Sequence, residues 1–225
     1  MATVIAESIV YEWPSHFWPM QRRGCQGVID AMVEGHRRIV LASPTGTGKT
    51  LAMIALIEWA QRSAFPSILY TNRRMLFSQT GKVLEQHGIE CGLRAAGHQP
   101  ALLRDVQLAM TPSEYSAVVR KEKRSIHPAR LVLCDELHMQ GGGMLAELLD
   151  RHYQAGATIV GVTATPLDLD GEWDTIVVAG TNRDGRECGA LIPAYTYCPD
   201  QPDLKHIKNY RVGDDLTDKE NHSAI

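Results

Sequence analysis

The chain lacks the features that would tie it to a membrane, an oxidising compartment or a strongly charged partner. Its longest apolar stretches are the size of one strand or helix and are interrupted by charge, so neither a transmembrane segment nor a membrane partner is expected. The opening residues, MATVIAESIVYEWP, carry Glu7 and Glu12 and have no basic region ahead of an apolar core. That argues against a secretory signal and for a cytoplasmic protein. Only five cysteines occur, Cys25, Cys91, Cys134, Cys188 and Cys198, without a Cys-x-x-Cys pair. An odd count at wide spacing excludes a disulfide framework and a zinc site, and reads as reduced thiols. The formal net charge is −3, so there is no global basic surface, and any polyanion must be met by a local patch. Internal repeats and Gly/Ser linkers are also missing.

What is present fits one generous domain, or one domain with a tail, in 225 residues. Hydrophobic residues make up 44% and charged residues 22%, which is ordinary for a globular chain. Short apolar runs alternate with longer helical patterns. RIVLAS (38–43), SILYT (67–71), VQLAM (106–110), RLVLCD (130–135) and ATIVGVTAT (157–165) read as buried strands. Helices are predicted over 50–62, 73–88, 112–124 and 144–156, the second and fourth closing on Gly88 and Gly156. This alternation predicts a three-layer α/β/α domain whose mostly parallel sheet binds ligands at its strand carboxyl ends. Beyond Gly171 the pattern weakens. EWDTIVVAG and ALIPAYTY are possible further strands around a polar turn, TNRDGREC, and the last stretch reads as a connector.

The chemistry sits at strand ends. SPTGTGKT (43–50) follows a strand and opens a helix, the context a phosphate-binding loop requires. Pro44, Thr45, Gly46, Thr47 and Gly48 would cradle an anion with backbone N–H groups, helped by the positive end of the helix. Lys49 would reach the β- and γ-phosphates of ATP, and Thr50 would ligate Mg²⁺. Ser43 takes the first position, where glycine or alanine is usual. DELH (135–138) ends an apolar strand, so Asp135 would hold the Mg²⁺ shell and Glu136 would polarise an attacking water, beside the loop on the neighbouring strand end. GVTATP (161–166) ends the next strand, with Thr163 and Thr165 able to point the same way. On spacing alone it is a weak signal, because threonine is an ordinary strand residue.

The order Gln21, SPTGTGKT, TNRRMLFSQT, AMTPSEY, DELH and GVTATP resembles the first RecA-like motor domain of superfamily 2 DEAD/DEAH helicases. The likeness is nearest to the type III restriction and phage DNA helicase branch and spans roughly residues 18–200. The resemblance implies that Gln21, in WPMQ, reads the adenine edge ahead of an amphipathic helix, RRGCQGVIDAMVEG; Gln26 is a competing candidate. It implies nucleic-acid contacts at Asn72, Arg73, Arg74, Thr111 and Pro112, and coupling of ATP state to nucleic acid through His138, Thr163 and Thr165. The third residue of DELH departs from DEAD and DEAH at a packing position. Trp13, Phe17 and Trp18 are candidates for stacking on adenine, although core packing explains them equally well. RKEKR (120–124) contains Glu122 and reads as a solvated helix face. The Gly141–Gly143 triplet is expected to form a mobile loop.

These expectations divide the chain into an N-terminal segment (1–35), a RecA-like ATP-binding domain (36–200) and a connector (201–225) toward a second RecA-like domain. That second half would supply the arginines completing the ATP site, so this chain reads as half of a motor acting on nucleic acid, with DNA preferred. Rival readings are a non-unwinding ATPase subunit of a restriction or remodelling complex, a nucleotide-gated binding module, and a small-molecule kinase. Glu136 speaks against the binding module. TNRRMLFSQT and GVTATP have no use in the kinase.

Overall fold

A computed structural model describes residues 12–99, 101–137, 143–166 and 173–193. Seven strands form one sheet: β1 (Arg38–Ala42), β2 (Ser67–Thr71), β3 (Cys91–Arg94), β4 (Val106–Met110), β5 (Leu131–Cys134), β6 (Thr158–Thr163) and β7 (Thr175–Val178). Their spatial order is β3-β4-β2-β5-β6-β1-β7, and every pairing is parallel. Parallel strands buried on both faces need continuous apolar runs, and β2, β5 and β6 are buried at every residue. Among the described residues six α-helices accompany them: α1 (Pro19–Val33), α2 (Lys49–Arg62), α3 (Arg74–Gln86), α4 (Thr111–Tyr115), α5 (Gly143–Gln154) and α6 (Asn182–Glu187).

The helices divide between the faces. One apolar core gathers Val28, Ile54, Leu56, Phe77 and Leu84 from α1, α2 and α3 with Leu41, Leu69, Leu108 and Leu133 from the strands. The other packs Leu145 and Leu148 of α5 against Val40, Ile68, Val132 and Ile159. The result is the α/β/α sandwich expected from the alternation.

Four local expectations need correction. The helix predicted over 112–124 is α4 followed by a π-helical segment, Ser116–Arg120, which stops at Lys121. RKEKR is therefore not a helix face: Arg124 turns inward onto Glu114. TNRDGREC is not a turn but α6. Thr181 caps it by accepting from the Asp184 N–H at 3.2 Å, while the Asp184 carboxylate accepts from the Thr181 N–H at 2.7 Å. β3 has no counterpart in the sequence reading, being an edge strand of four residues that includes Gly92. In ALIPAYTY, Ala190–Pro193 is not strand, and the remainder lies outside the described residues, as does the connector.

Candidate active site

Every motif except that of Gln21 falls at the carboxyl end of a strand, and strand order sets which motifs meet. The phosphate loop follows β1, DELH follows β5, and β6 with its Thr-Ala-Thr end runs between them. The two ATP motifs are thus next-but-one neighbours, not adjacent as the sequence reading placed them. Two side chains bridge the gap: Lys49 Nζ stands 3.9 Å from Glu136 Oε1.

The loop is held by its own hydroxyls. Thr47 is buried and its Oγ1 donates to the Pro44 carbonyl at 2.6 Å, which leaves that oxygen to accept from Ser43 Oγ at 2.8 Å. Ser43 also donates its N–H to the Thr163 carbonyl at 2.9 Å, fastening the loop to the end of β6. The unusual first residue therefore adds a hydrogen bond that glycine or alanine would not make. Thr45 and Gly46 stay exposed, while Pro44, Gly48, Lys49 and Thr50 are half-buried. Gly48 is the N-cap of α2 at φ 77°, a left-handed conformation that costs other residues roughly 1–2 kcal/mol. A side chain there would also collide with Gln21 Nε2.

Gln21 lies inside α1, at its third residue, not ahead of the helix. Its Oε1 accepts from the Trp18 N–H at 2.9 Å and its Nε2 donates to the Gly48 carbonyl at 3.3 Å. Both the oxygen and the nitrogen of the carboxamide thus bond within the chain, and a cavity of about 10 Å³ lies between Gln21 and the loop. Gln26 instead accepts from Trp13 Nε1 and donates to Asp30 on the solvent side. Phe17 is buried in the core, whereas Trp18 is 40% exposed beside the loop.

The carboxylates differ in setting. Asp135 is buried, and its N–H donates to the Tyr70 carbonyl at 3.0 Å. Burial and the adjacent Glu136 carboxylate raise its pKa, against the opposing pull of the Glu136 N–H and Lys49. Glu136 is half-buried and held at φ 48°, a strained backbone of the kind that concentrates at functional sites. Leu137 packs on Gly161, where a Cβ would meet its side chain at 2.5 Å. The third residue of DELH does face packing. His138 and Gly141–Gly142 lie outside the described residues, and Gly143 opens α5.

Thr163 and Thr165 do not present two hydroxyls side by side. Thr163 is fully buried; its Oγ1 accepts from the Thr165 N–H at 3.1 Å and donates to the Thr165 carbonyl at 3.2 Å, while Thr165 is exposed. Asn72, Arg73 and Arg74 follow β2, and Thr111 and Pro112 follow β4, its neighbour in the sheet, so both segments share one stretch of the rim. Arg73, Arg74 and Pro112 are exposed and Asn72 is half-buried. Thr111 is buried, donating to the Thr71 carbonyl at 3.4 Å.

Sequence reasoning missed two neighbourhoods. The turn after β3 joins the same rim, with the Ala96 N–H donating to Ser113 Oγ at 3.2 Å. Near the loop, Leu191 Cδ2 lies 3.0 Å from where a Cβ on Gly46 would stand, and the Trp18 ring packs on Gly189. No pattern in the chain marks either.

A family model described as "Type III restriction enzyme, res subunit" matches residues 15–168, the stretch that carries Gln21, the phosphate loop, DELH and the Thr-Ala-Thr end. The chain belongs to that family. It is a helicase-type ATPase motor domain with the RecA-like fold, and nucleotide binding comes with the family. Among solved structures it is similar to a hypothetical ATP-dependent RNA helicase from Sulfolobus tokodaii, at 18% identity and a TM-score of 0.52. That match covers 78% of this chain and 57% of the other. It is also similar to the Mycobacterium smegmatis helicase Lhr bound to ssDNA and AMP-PNP, at 23% identity and a TM-score of 0.53, covering 78% and 27%. This res-family chain thus spans about half and about a quarter of the two. No curated protein sequence matches it. Among the described residues no helix is long and apolar enough to cross a membrane.

Proposed function

We propose that this chain binds ATP with Mg²⁺ at the β1 loop and, in its complete protein, couples hydrolysis to movement along or separation of DNA. The observation that carries the reading is the approach of Lys49 Nζ to Glu136 Oε1, 3.9 Å, across the end of β6. A cation from one motif and a carboxylate from another, both at the mouth of the sheet, are what phosphoryl transfer to water needs. Lys49 would neutralise charge on the β- and γ-phosphates, and the backbone N–H groups of 44–49 would hold their oxygens. Glu136 would take a proton from the attacking water.

The donor set fits Mg²⁺. Asp135 and Glu136 bring two carboxylates into a partly desolvated pocket, burial and the neighbouring Glu136 carboxylate raise the Asp135 pKa, and Thr50 adds a hydroxyl at the start of α2. The ion would supply charge neutralisation between the phosphates. Thr163 would relay the state of the loop to the rim, since Ser43 and Thr165 both bond to it; His138 and Thr165 are assigned the same coupling. Asn72, Arg73, Arg74 and Pro112 would meet the nucleic-acid backbone, and Thr111 would hold that segment to β2. Gln21 would favour adenine by setting the shape of the loop. A second RecA-like domain, reached through residues 201–225, would complete the site, and the protein would work in the cytoplasm.

The test is ATP hydrolysis by this chain at fixed salt, alone and with single-stranded DNA, duplex DNA or RNA, with Lys49→Ala as control. Slow turnover that one polymer raises and the control abolishes supports the reading. Absence of ATP binding by the unaltered chain would remove it.

A further inference from the structure

Several arginines on this surface are matched by a carboxylate. Arg23 pairs with Asp184, Arg38 with Asp150, Arg104 with Glu90, Arg151 with Glu147 and Arg183 with Glu187. The turn that follows α4 instead gathers three cations within four residues. Arg120, Lys121 and Lys123 are exposed, and among the described residues none has a carboxylate partner; Arg120 only stacks over the Tyr115 ring, 5.6 Å from its centroid.

The turn is a built feature, not a frayed helix end. The helix widens into the π-helical segment, an arrangement found frequently at functional sites. The Lys121 N–H donates to the Ser116 carbonyl at 3.0 Å, and the Lys123 N–H to the Ala117 carbonyl at 2.8 Å. Glu122 is held at φ 45°, a conformation that tertiary structure must sustain. The anchor is internal. Arg124 bonds Glu114, a fully buried carboxylate that also accepts from Arg94 Nη1 of β3 at 2.6 Å. Gln107 of β4 completes the cluster by accepting from Arg94 Nε at 2.9 Å. Glu114 stands three residues after Thr111, so one buried clamp fixes both the rim segment and the basic turn.

We propose that Arg120, Lys121 and Lys123 form a second phosphodiester-binding patch, extending the nucleic-acid track from Thr111–Pro112 along α4. Three unmatched cations in a fixed turn suit the regular negative charge of a nucleic-acid backbone, without base readout. The assignment rests on the nucleic-acid reading proposed above.

The test compares R120A/K121A/K123A with R73A/R74A and the unaltered 225-residue chain. Affinity for labelled single-stranded DNA, duplex DNA and RNA of one length is measured by anisotropy over a salt series. The triple variant is expected to melt at the unaltered temperature, to bind ATP unchanged, and to lose affinity several-fold on at least one polymer. Its salt slope should fall by about 2–3, roughly one per released phosphate contact. The arms show whether the backbone is that of DNA or RNA. An unchanged slope in the triple variant, with a reduced one in R73A/R74A, overturns the patch and leaves the track. Absence of binding by the unaltered chain to every polymer overturns both.

Discussion

The carboxamide of Gln21 closes a bridge between the start of α1 and the last residue of the phosphate loop, donating to the Gly48 carbonyl while accepting from the Trp18 N–H. The loop is therefore shaped by a residue 27 positions upstream, and Gly48 by the need to leave room for it.

Gly48→Ala combines left-handed strain with that collision. It is expected to lower stability by about 1–3 kcal/mol and to weaken nucleotide binding at least tenfold, read by urea unfolding and titration with a fluorescent ATP analogue. Gln21→Glu keeps the acceptor for Trp18 and removes the donor to Gly48. Weaker nucleotide binding at nearly unchanged stability would locate the effect in the loop; unaltered binding would show that the bridge is idle.

Lys49 and Glu136 should fail differently. Lys49→Ala is expected to weaken ATP binding and abolish hydrolysis. Glu136→Gln preserves shape and should bind ATP within a few-fold of the unaltered chain, while turnover falls by about 10²–10⁴. Comparable losses of binding in both variants would deny Glu136 its part in proton transfer.

Glu114 is the only acid shared by Arg94 and Arg124 among the described residues. Glu114→Ala leaves the buried Arg94 and the half-buried Arg124 without their carboxylate and is expected to cost about 3–5 kcal/mol in urea unfolding. Replacing Arg94, Glu114 and Arg124 together by apolar residues of similar size should recover most of that loss. A single variant as stable as the parent would show that the cluster carries no net energy.

Acid should destabilise the domain through His152. Its ring is fully buried against the Tyr70 hydroxyl, 2.9 Å away, and burial lowers its pKa from 6.5 to about 3, with His127 lowered also. The unfolded chain therefore binds a proton below pH 6.5 that the folded chain refuses until about pH 3. Stability is complete above that window and falls as pH drops through it, by up to about 1.4 kcal/mol per pH unit for this one group. Urea midpoints across the window check the slope, and His152→Gln should flatten it.

How much of this was visible in the residues depends on how local the cause was. The loop, DELH and the long apolar strands are set by contiguous residues, and they lie where alternation and motif spacing put them. Strand order is a property of the whole sheet, so nothing in DELH itself reveals that β6 separates it from the loop. Glu114 and Arg124 look in the sequence like the charges of any amphipathic helix. Their burial depends on Arg94, which lies on β3, too short and polar a strand to stand out. The Thr181–Asp184 cap is a legible signal that a Gly-containing polar stretch concealed. The turn of Gly189 and Leu191 beside Gly46 follows from the path of the chain after β7, which no motif marks.

The one-way sheet also divides the domain for the experimenter. Gly35, Gly88 and Gly156 sit where α1, α3 and α5 hand over to the next strands, each with a positive φ that would strain any other residue and each facing open space. They belong to the rim opposite the candidate chemistry. A dye, a surface tether or a fused reporter placed in one of these turns, with its glycine kept, would let single molecules be held and watched with the ATP loop left untouched.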